Sequence, residues 1–367
     1  MSVIRARQVV LPDRVVESAE VVVDDGRIAE VRGTTGPLDH QTVVPGLVDL
    51  QVNGHDDVDV ATAAGDEWDR LAVLLLAQGV TAWCPTLVTG PLASYAGPLD
   101  RIAAARSRST PTTGLRTGPE ILGAHLEGPF LGGRPGAHPI ELIRAVDRAW
   151  LDGLPDHVAL VTAAPECPGS EDLWAWATQR GVVASVGHSA TGADGAGAAF
   201  DAGAAMVTHL FNAMSGLDHR SPGVAAAALL DDRVTAGLIA DGVHVHPDLI
   251  RLAFRAKEPG GIALVTDAVA WRGRRQGRAE LRHDGTAPRL PDGTLAGSSL
   301  TLDRAVANVV AWGVSLVAAV RAASTTPADV LGRPDIGRIA PGARGDLAAL
   351  DESGRCVATY LAGTRVA

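Results

Sequence analysis

The sequence predicts an α/β fold: a (β/α)8 TIM-like barrel with a small β-sandwich domain built from both chain ends. Three observations carry that prediction. Strand-like residues crowd positions 1–32 and 338–367. Between them, eight short apolar runs alternate with helix-length amphipathic segments, the pattern of parallel strands buried on both faces. No Gly-x-Gly-x-x-Gly follows an early strand, which leaves the doubly wound sheet as the second choice.

Taken in order, Val21-Val-Val-Asp-Asp-Gly-Arg-Ile-Ala-Glu-Val31 reads as a hairpin that turns at Asp25-Gly26. Barrel strands are expected at Leu47–Gln51, Thr81–Cys84, Ile121–Leu126, Val158–Ala163, Val182–Gly187, Met206–His209, Thr235–Ile239 and Ile262–Thr266. Helices are expected between them at Glu67–Gln78, Leu92–Arg106, Ser170–Arg180, Gly192–Ala202 and Pro247–Ala256. Eight such repeats are the count of a closed barrel. Trp271–Pro291, rich in Arg, Gly and Asp, reads as an irregular hairpin insertion near the barrel mouth. Leu302–Trp312 and Ser315–Ala323 read as helices that complete the outer ring. Asp346–Leu350, Cys356–Leu361 and Thr364–Val366 then rejoin the first strands, because the termini of a domain often lie together. The expected division is residues 1–44 with 335–367 for the β domain, and 45–334 for the barrel.

Composition narrows the function. The net charge is −10, which argues against a nucleic-acid binder but not against a small anionic substrate held by a few local cations. Three scattered cysteines (Cys84, Cys167, Cys356), with no Cys-x-x-Cys, exclude a disulfide scaffold and a zinc knuckle. The first residues lack a signal-peptide core, and no apolar stretch approaches the roughly 18–20 residues that span a bilayer. A cytoplasmic location is the expectation. Lys257 is the only lysine, so phosphate-loop and Schiff-base mechanisms that need a lysine elsewhere are disfavoured.

The chemistry lies in where polar residues fall. A β/α barrel reacts at the C-terminal ends of its strands. Strand three ends at Glu127, strand five at His188, strand six at His209 and strand eight at Asp267. One histidine at a strand end is more often structural; four such residues on one rim are not explained that way. Glu with two His is a sufficient ligand set for a catalytic divalent metal that keeps one position open. Asp267 is then either a further ligand or a base. A bound zinc lowers the pKa of water to about 7, so a nearby carboxylate can take its proton and pass it to a leaving amine. Gln51 and Asn53, two apart, share one face of strand one.

Seven motifs now occur in order. They are Pro45-Gly-Leu-Val-Asp-Leu-Gln-Val-Asn-Gly54, His125-Leu-Glu-Gly-Pro-Phe130, Val186-Gly-His-Ser189, Thr208-His-Leu-Phe-Asn-Ala-Met214, Ala240-Asp-Gly-Val-His244, Leu264-Val-Thr-Asp-Ala268 and Leu295-Ala-Gly-Ser-Ser-Leu-Thr301. Together they resemble the amidohydrolase superfamily, in its N-acetylglucosamine-6-phosphate deacetylase branch. The tail Ile336-Gly-Arg-Ile-Ala-Pro-Gly-Ala-Arg-Gly-Asp-Leu-Ala348 is similar to the superfamily's returning strand.

The resemblance implies metal-dependent loss of acetate from the sugar 6-phosphate in amino-sugar metabolism. It implies that Glu127, His188 and His209 hold one divalent metal, Zn2+ with Fe2+, Mn2+ or Co2+ as alternatives, and that Asp267 shuttles the proton. Ala137, His138, Asn212 and Ala213 would meet the substrate, with His138 or the metal steadying the oxyanion. Leu295, Ala296, Gly297 and Ser298 would line the acetyl pocket. Arg220 and His244 would bind phosphate, one of them given across a homodimer. Many metal barrels carry His-x-His on strand one; Gln51 and Asn53 stand there as a vestigial second metal site, with His55 as a partial substitute. The alternatives are the N-acetylgalactosamine-6-phosphate enzyme, another amidohydrolase acting on a cyclic amide or nucleobase, and a non-catalytic binding barrel. A carboxylated-lysine metal bridge is unavailable, because Lys257 lies in a helix.

Overall fold

The computed structural model describes all residues except 110–115 and 258–259. Eight parallel strands form the central layer: Leu47–Val52, Val80–Val88, Ala124–Glu127, Val158–Ala163, Val183–Val186, Ala204–Val207, Thr235–Leu238 and Ile262–Leu264, in that spatial order. Strands one and eight meet through a parallel bridge between Val52 and Ala268, so the barrel is nearly closed. The meeting point matters for chemistry. The Asp267 N–H donates to Gln51 O (2.9 Å) and the Asn53 N–H to Ala268 O (2.8 Å), which fixes the ends of strands one and eight against each other. Strand three does not run through as expected. Glu120–Ile121 pairs separately with strand two, and a break at Gly123 precedes Ala124. A Cβ on Gly123 would lie 2.6 Å from the Ala159 Cβ and 2.8 Å from His157 O, so the chain passes there only without a side chain.

Helices cover the barrel. Ser170–Arg180 and Pro247–Ala256 form where their apolar spacing and flanking residues place them. The insertion is two short hairpins, Arg275–Gln276 with Ala279–Glu280 and Arg282–His283 with Pro288–Arg289. Lys257 is buried, and its Nζ donates to Ala228 O (3.0 Å), Asp231 O (2.7 Å) and Val234 O (2.6 Å). The lone lysine thus caps the helix Val224–Leu230 at the Ala228 and Asp231 carbonyls and ties in Val234 of the turn that follows.

The second layer is one seven-stranded sheet. Its order is Thr364–Arg365, Cys356–Leu361, Leu347–Leu350, His40–Pro45, Ser2–Val10, Val15–Asp24, Arg27–Gly33. The two chain ends join where Leu347 pairs with Pro45. The sheet curls until its far edge returns: Ile28 N donates to Ala343 O (2.8 Å) and Gly345 N to Gly26 O (2.8 Å). Alternation then sorts the side chains. Ala6, Ala19, Val21, Val23, Val43, Leu347 and Ala349 close a separate small core, while Val44, Ala348 and Leu350 join the barrel core from the opposite face. No described helix is long and apolar enough to cross a membrane.

Candidate active site

Four strand ends deliver the rim. Glu127 closes strand three, and His188, His209 and Asp267 each follow a strand by one to three residues. All four are buried. His188, His209 and Asp267 hold left-handed backbone angles (φ 52°, 31° and 49°), as do the neighbouring Phe211 and Ala213 (76° and 48°). Such angles cost a non-glycine residue of order 1–3 kcal/mol and gather where a side chain must be aimed.

The aim is mutual. The Nε2 atoms of His188 and His209 each lie 3.0 Å from Glu127 Oε1 and 3.1 Å from one another. His188 Nδ1 donates to Pro135 O (3.1 Å), which leaves Nε2 as the ring nitrogen turned toward Glu127 and available to a metal. Two imidazole nitrogens and a carboxylate oxygen this close share an acceptor-rich point that calls for a cation. Zinc bonds of about 2.0–2.1 Å put tetrahedral ligands about 3.4 Å apart, near the spacing found here. Burial raises the Glu127 carboxyl, but in the metal-free chain the two Nε2 atoms can instead donate to it, which outweighs burial and holds it well below the usual carboxylate range.

His138 also approaches, with Nε2 at 3.9 Å from Glu127 Oε1; Glu127, His138 and His188 have ligand atoms within 4.8 Å of one another. Its chemistry differs from that of His209. Thr89 N–H (3.4 Å) and Oγ1 (2.7 Å) lie against its Nδ1 as donors, which leaves the proton on Nε2. Burial pushes its pKa down to about 3, so the ring is neutral, and with Nδ1 accepting from Thr89 it presents an Nε2–H to the cavity.

Asp267 faces this cluster. Its Oδ1 accepts from Gln51 Nε2 (3.1 Å) and Asn53 Nδ2 (2.7 Å). Burial, reinforced by the Glu127 charge, pushes its pKa up to about 8. Gln51 and Asn53 therefore spend their amide donors on Asp267. His55 stands apart: it is buried against Leu74, Gln78 and Asp303 on the barrel's flank and does not join the rim.

A cavity of about 410 Å³ opens over the cluster. It is lined by Glu127, Ala137, His138, His188, His209, Asn212, Ala213, His244, Asp267, Leu295 and Gly297. Three expected residues do not line it. Ala296 packs with Val269 and Leu281. Ser298 is buried and uses its N–H on Asp267 O (2.8 Å) and its Oγ on Thr266 O (2.6 Å), so it fixes the Asp267 backbone instead. Arg220 is exposed in the loop after strand six, with its backbone N–H on Asp218 Oδ1 (2.8 Å) and its guanidinium outside the cavity of its own chain. His244 is held by Asp241 Oδ2 at 2.7 Å from Nδ1. The sequence reading missed Ile239, Gln276, Arg289 and Thr294, which also line the cavity. Arg289 comes from the insertion already placed near the mouth, whose run of arginines was the available signal.

The amidohydrolase family model matches residues 42–366. The chain belongs to the amidohydrolase family. This amidohydrolase is 38% identical to the N-acetylgalactosamine-6-phosphate deacetylase of Escherichia coli O157:H7, over 95% of each chain. It is 36% identical to the N-acetylglucosamine-6-phosphate deacetylase of Homo sapiens, over 96% of this chain and 89% of that one. Among solved structures it superposes on the N-acetylglucosamine-6-phosphate deacetylase of Thermotoga maritima with a TM-score of 0.91 at 30% identity, covering 100% of this chain and 99% of that one. A mutant of the Mycobacterium smegmatis enzyme in complex with N-acetyl-D-glucosamine-6-phosphate matches at a TM-score of 0.90 and 33% identity, with 100% and 99% coverage.

Proposed function

We propose that this amidohydrolase deacetylates N-acetylglucosamine-6-phosphate, releasing acetate and glucosamine-6-phosphate, with one divalent metal held by Glu127, His188 and His209. The observation that carries the reading is the convergence of those three ligand atoms within 3.1 Å, with Asp267 opposite. A divalent cation such as Zn2+, or alternatively Fe2+, Mn2+ or Co2+, would supply Lewis acidity toward the acetamide carbonyl and acidify the attacking water. The chain's own groups do the rest. Asp267 takes the proton of that water as oxygen adds to the carbonyl carbon. The carboxyl holds that proton until the C–N bond breaks, when it passes to the sugar nitrogen. His138 Nε2–H faces the same space and donates to the tetrahedral oxyanion. Asn212 and the Ala213 backbone steady the sugar, and Ala137 and Leu295 close around it.

For the phosphate, His244 backed by Asp241 and Arg289 from the insertion lie on the cavity wall. Arg220 completes the site from a second copy of the chain, a homodimer with a shared phosphate pocket. A phosphorylated sugar crosses membranes poorly, which supports a cytoplasmic location for the reaction. The 38% identity to the E. coli N-acetylgalactosamine-6-phosphate enzyme favours the galacto epimer as a second reading. Acetate release from both 6-phosphates, with metal content measured on the same sample, separates the two. No turnover on either by a metal-loaded preparation overturns both.

A further inference from the structure

Glu166 lies in the turn after strand four and lines neither the cavity nor the metal cluster. The residue is exposed, yet both oxygens of its carboxylate accept hydrogen bonds. Oε1 accepts from Gly133 N (3.0 Å) and Ala190 N (2.6 Å), and Oε2 from Ser189 Oγ (2.6 Å). Gly133 belongs to the loop after strand three, which goes on to carry Pro135, Ala137 and His138. Ser189 and Ala190 follow His188 directly. The same two loops touch twice more: Gly132 N donates to His188 O (3.0 Å), and His188 Nδ1 to Pro135 O (3.1 Å). The approach is so close that a Cβ on Gly132 would lie 2.1 Å from Glu166 Oε1.

From this geometry we infer that Glu166 is a positioning residue: it buckles the strand-three loop to the strand-five loop and thereby sets how tightly the Glu127–His188–His209 cluster holds its metal. The inference rests on the metal reading above. Three links tie Glu166 to that cluster. The first is the His188 backbone, held at φ 52° beside the two groups that Glu166 anchors. The second is the Pro135 carbonyl, whose distance fixes the His188 tautomer. The third is His138, which travels on the loop that Gly133 begins. Without the buckle the loop lifts, the carbonyl withdraws and the His188 ring loses the acceptor that keeps its Nε2 lone pair on the metal.

The test is the metal dissociation constant of the full chain, measured by chelator competition with Zn2+ and read again in the visible spectrum of the Co2+ form. Removing a partner bonded directly to a ligand typically costs about 10–100-fold in metal affinity; Glu166 acts one residue further out, so a several-fold weakening is expected for Glu166→Ala. Glu166→Gln keeps an acceptor for Gly133 and Ala190 and a donor for Ser189, so it is expected to bind close to wild type with an unchanged Co2+ spectrum. Unchanged affinity in Glu166→Ala overturns the inference, and so does equal damage in Glu166→Gln. If Glu166→Ala fails to fold, Ser189→Ala removes one arm of the buckle alone; several-fold weaker binding supports the role and unchanged binding overturns it. A wild-type chain that binds no metal instead overturns the metal reading, a result the variants cannot mimic.

Discussion

Two buried charge clusters sit on this barrel, and they are built on opposite principles. At the seam with the small sheet, Glu120 and Asp346 meet Arg116, Arg333 and Arg344. Arg116 lies 2.5 Å from Asp346, Arg344 lies 2.6 Å from it, and Arg333 lies 2.8 Å from Glu120, with Arg344 also on Glu120. Every carboxylate there has its cation. Burial pushes Glu120 upward, but Arg333 and Arg344 outweigh it and hold it below the usual range. At the rim, Glu127 and Asp267 meet three histidines and no arginine. Burial there wins for Asp267, and His209 Nδ1 and Asn53 Oδ1 are buried without a partner among the described residues. Orphaned atoms do not separate the two clusters, because Arg116 Nη1 and Arg344 Nη2 at the seam also lack a hydrogen-bond partner among the described residues. Charge separates them: a cluster that matches each carboxylate with a cation holds its elements together, and one that converges on acceptors without a cation suits a partner the chain does not supply.

The largest effect expected from that contrast falls on the rim. Asp267→Asn keeps an oxygen for Gln51 and Asn53, so metal should bind at the wild-type stoichiometry. Turnover should fall about 10²–10⁴-fold, the worth of a positioned proton carrier. Initial rates with metal analysis on the same sample check this, and near wild-type turnover would sink the shuttle. The seam should respond in the other currency. Asp346→Ala takes the close carboxylate from the mostly buried Arg116, leaves Arg344 with Glu120 alone, and removes the acceptor of Ala362 N (2.9 Å). A loss of about 3–5 kcal/mol in unfolding free energy is expected, with kcat per folded molecule unchanged. Denaturant melts beside active-fraction rates measure both. A large kcat loss with intact stability would mean that the seam shapes the site.

Asp49 tests the ground between the two. It is buried in strand one with no cation, its Oδ2 accepting from Thr266 Oγ1 (2.6 Å) and its Oδ1 from Gln51 N (3.1 Å) and Thr266 N (3.3 Å). Burial wins over these dipoles and pushes its pKa up to about 6. The native state therefore holds this proton more tightly than the unfolded chain. The resulting stabilisation is full below about pH 4 and is lost as pH rises through about 6. Asn at this position keeps the acceptor and offers Thr266 Oγ1 a donor, without titrating. Relative to wild type, Asp49→Asn should gain on the order of 2–3 kcal/mol between those pH values. Parallel melting curves across that range would sink the idea that hydrogen bonds alone leave this carboxylate uncompensated.

Much of this contrast was legible in the sequence, and its limits are physical. Strand ends are visible because apolar runs stop at polar residues, so Glu127, His188, His209 and Asp267 could be placed on one rim. Val158–Ala163, Ser170–Arg180, Pro247–Ala256 and Cys356–Leu361 form with the expected bounds because their patterning is local. Strand three was misread because Gly123 acts through its contact with Ala159, a residue 36 positions on. The proton on His138, the Pro135 carbonyl behind His188 and the reach of Arg289 each depend on two loops meeting. Hydrophobic periodicity carries no record of such meetings. The seam was invisible for the same reason: its arginines are separated from Glu120 by up to 224 positions.

The smallest effect expected concerns the one rim residue that the single chain leaves outside. Arg220 is exposed and reaches no group in its own cavity, whereas His244 and Arg289 line it. If a second chain carries Arg220 to the phosphate, Arg220→Ala should raise KM for the 6-phosphate by about 10–100-fold, the worth of a charge-assisted hydrogen bond. The unphosphorylated sugar should be affected far less, with kcat nearly unchanged for both. Mixing Arg220→Ala chains with Asp267→Asn chains sharpens the point. In a shared pocket, a mixed dimer pairs one intact Asp267 with the Arg220 of the other chain and recovers a wild-type-like KM at part of the rate. A KM that stays high in the mixture, with mixed dimers verified by mass, would place Arg220 in its own chain's pocket and make the rim complete within one barrel.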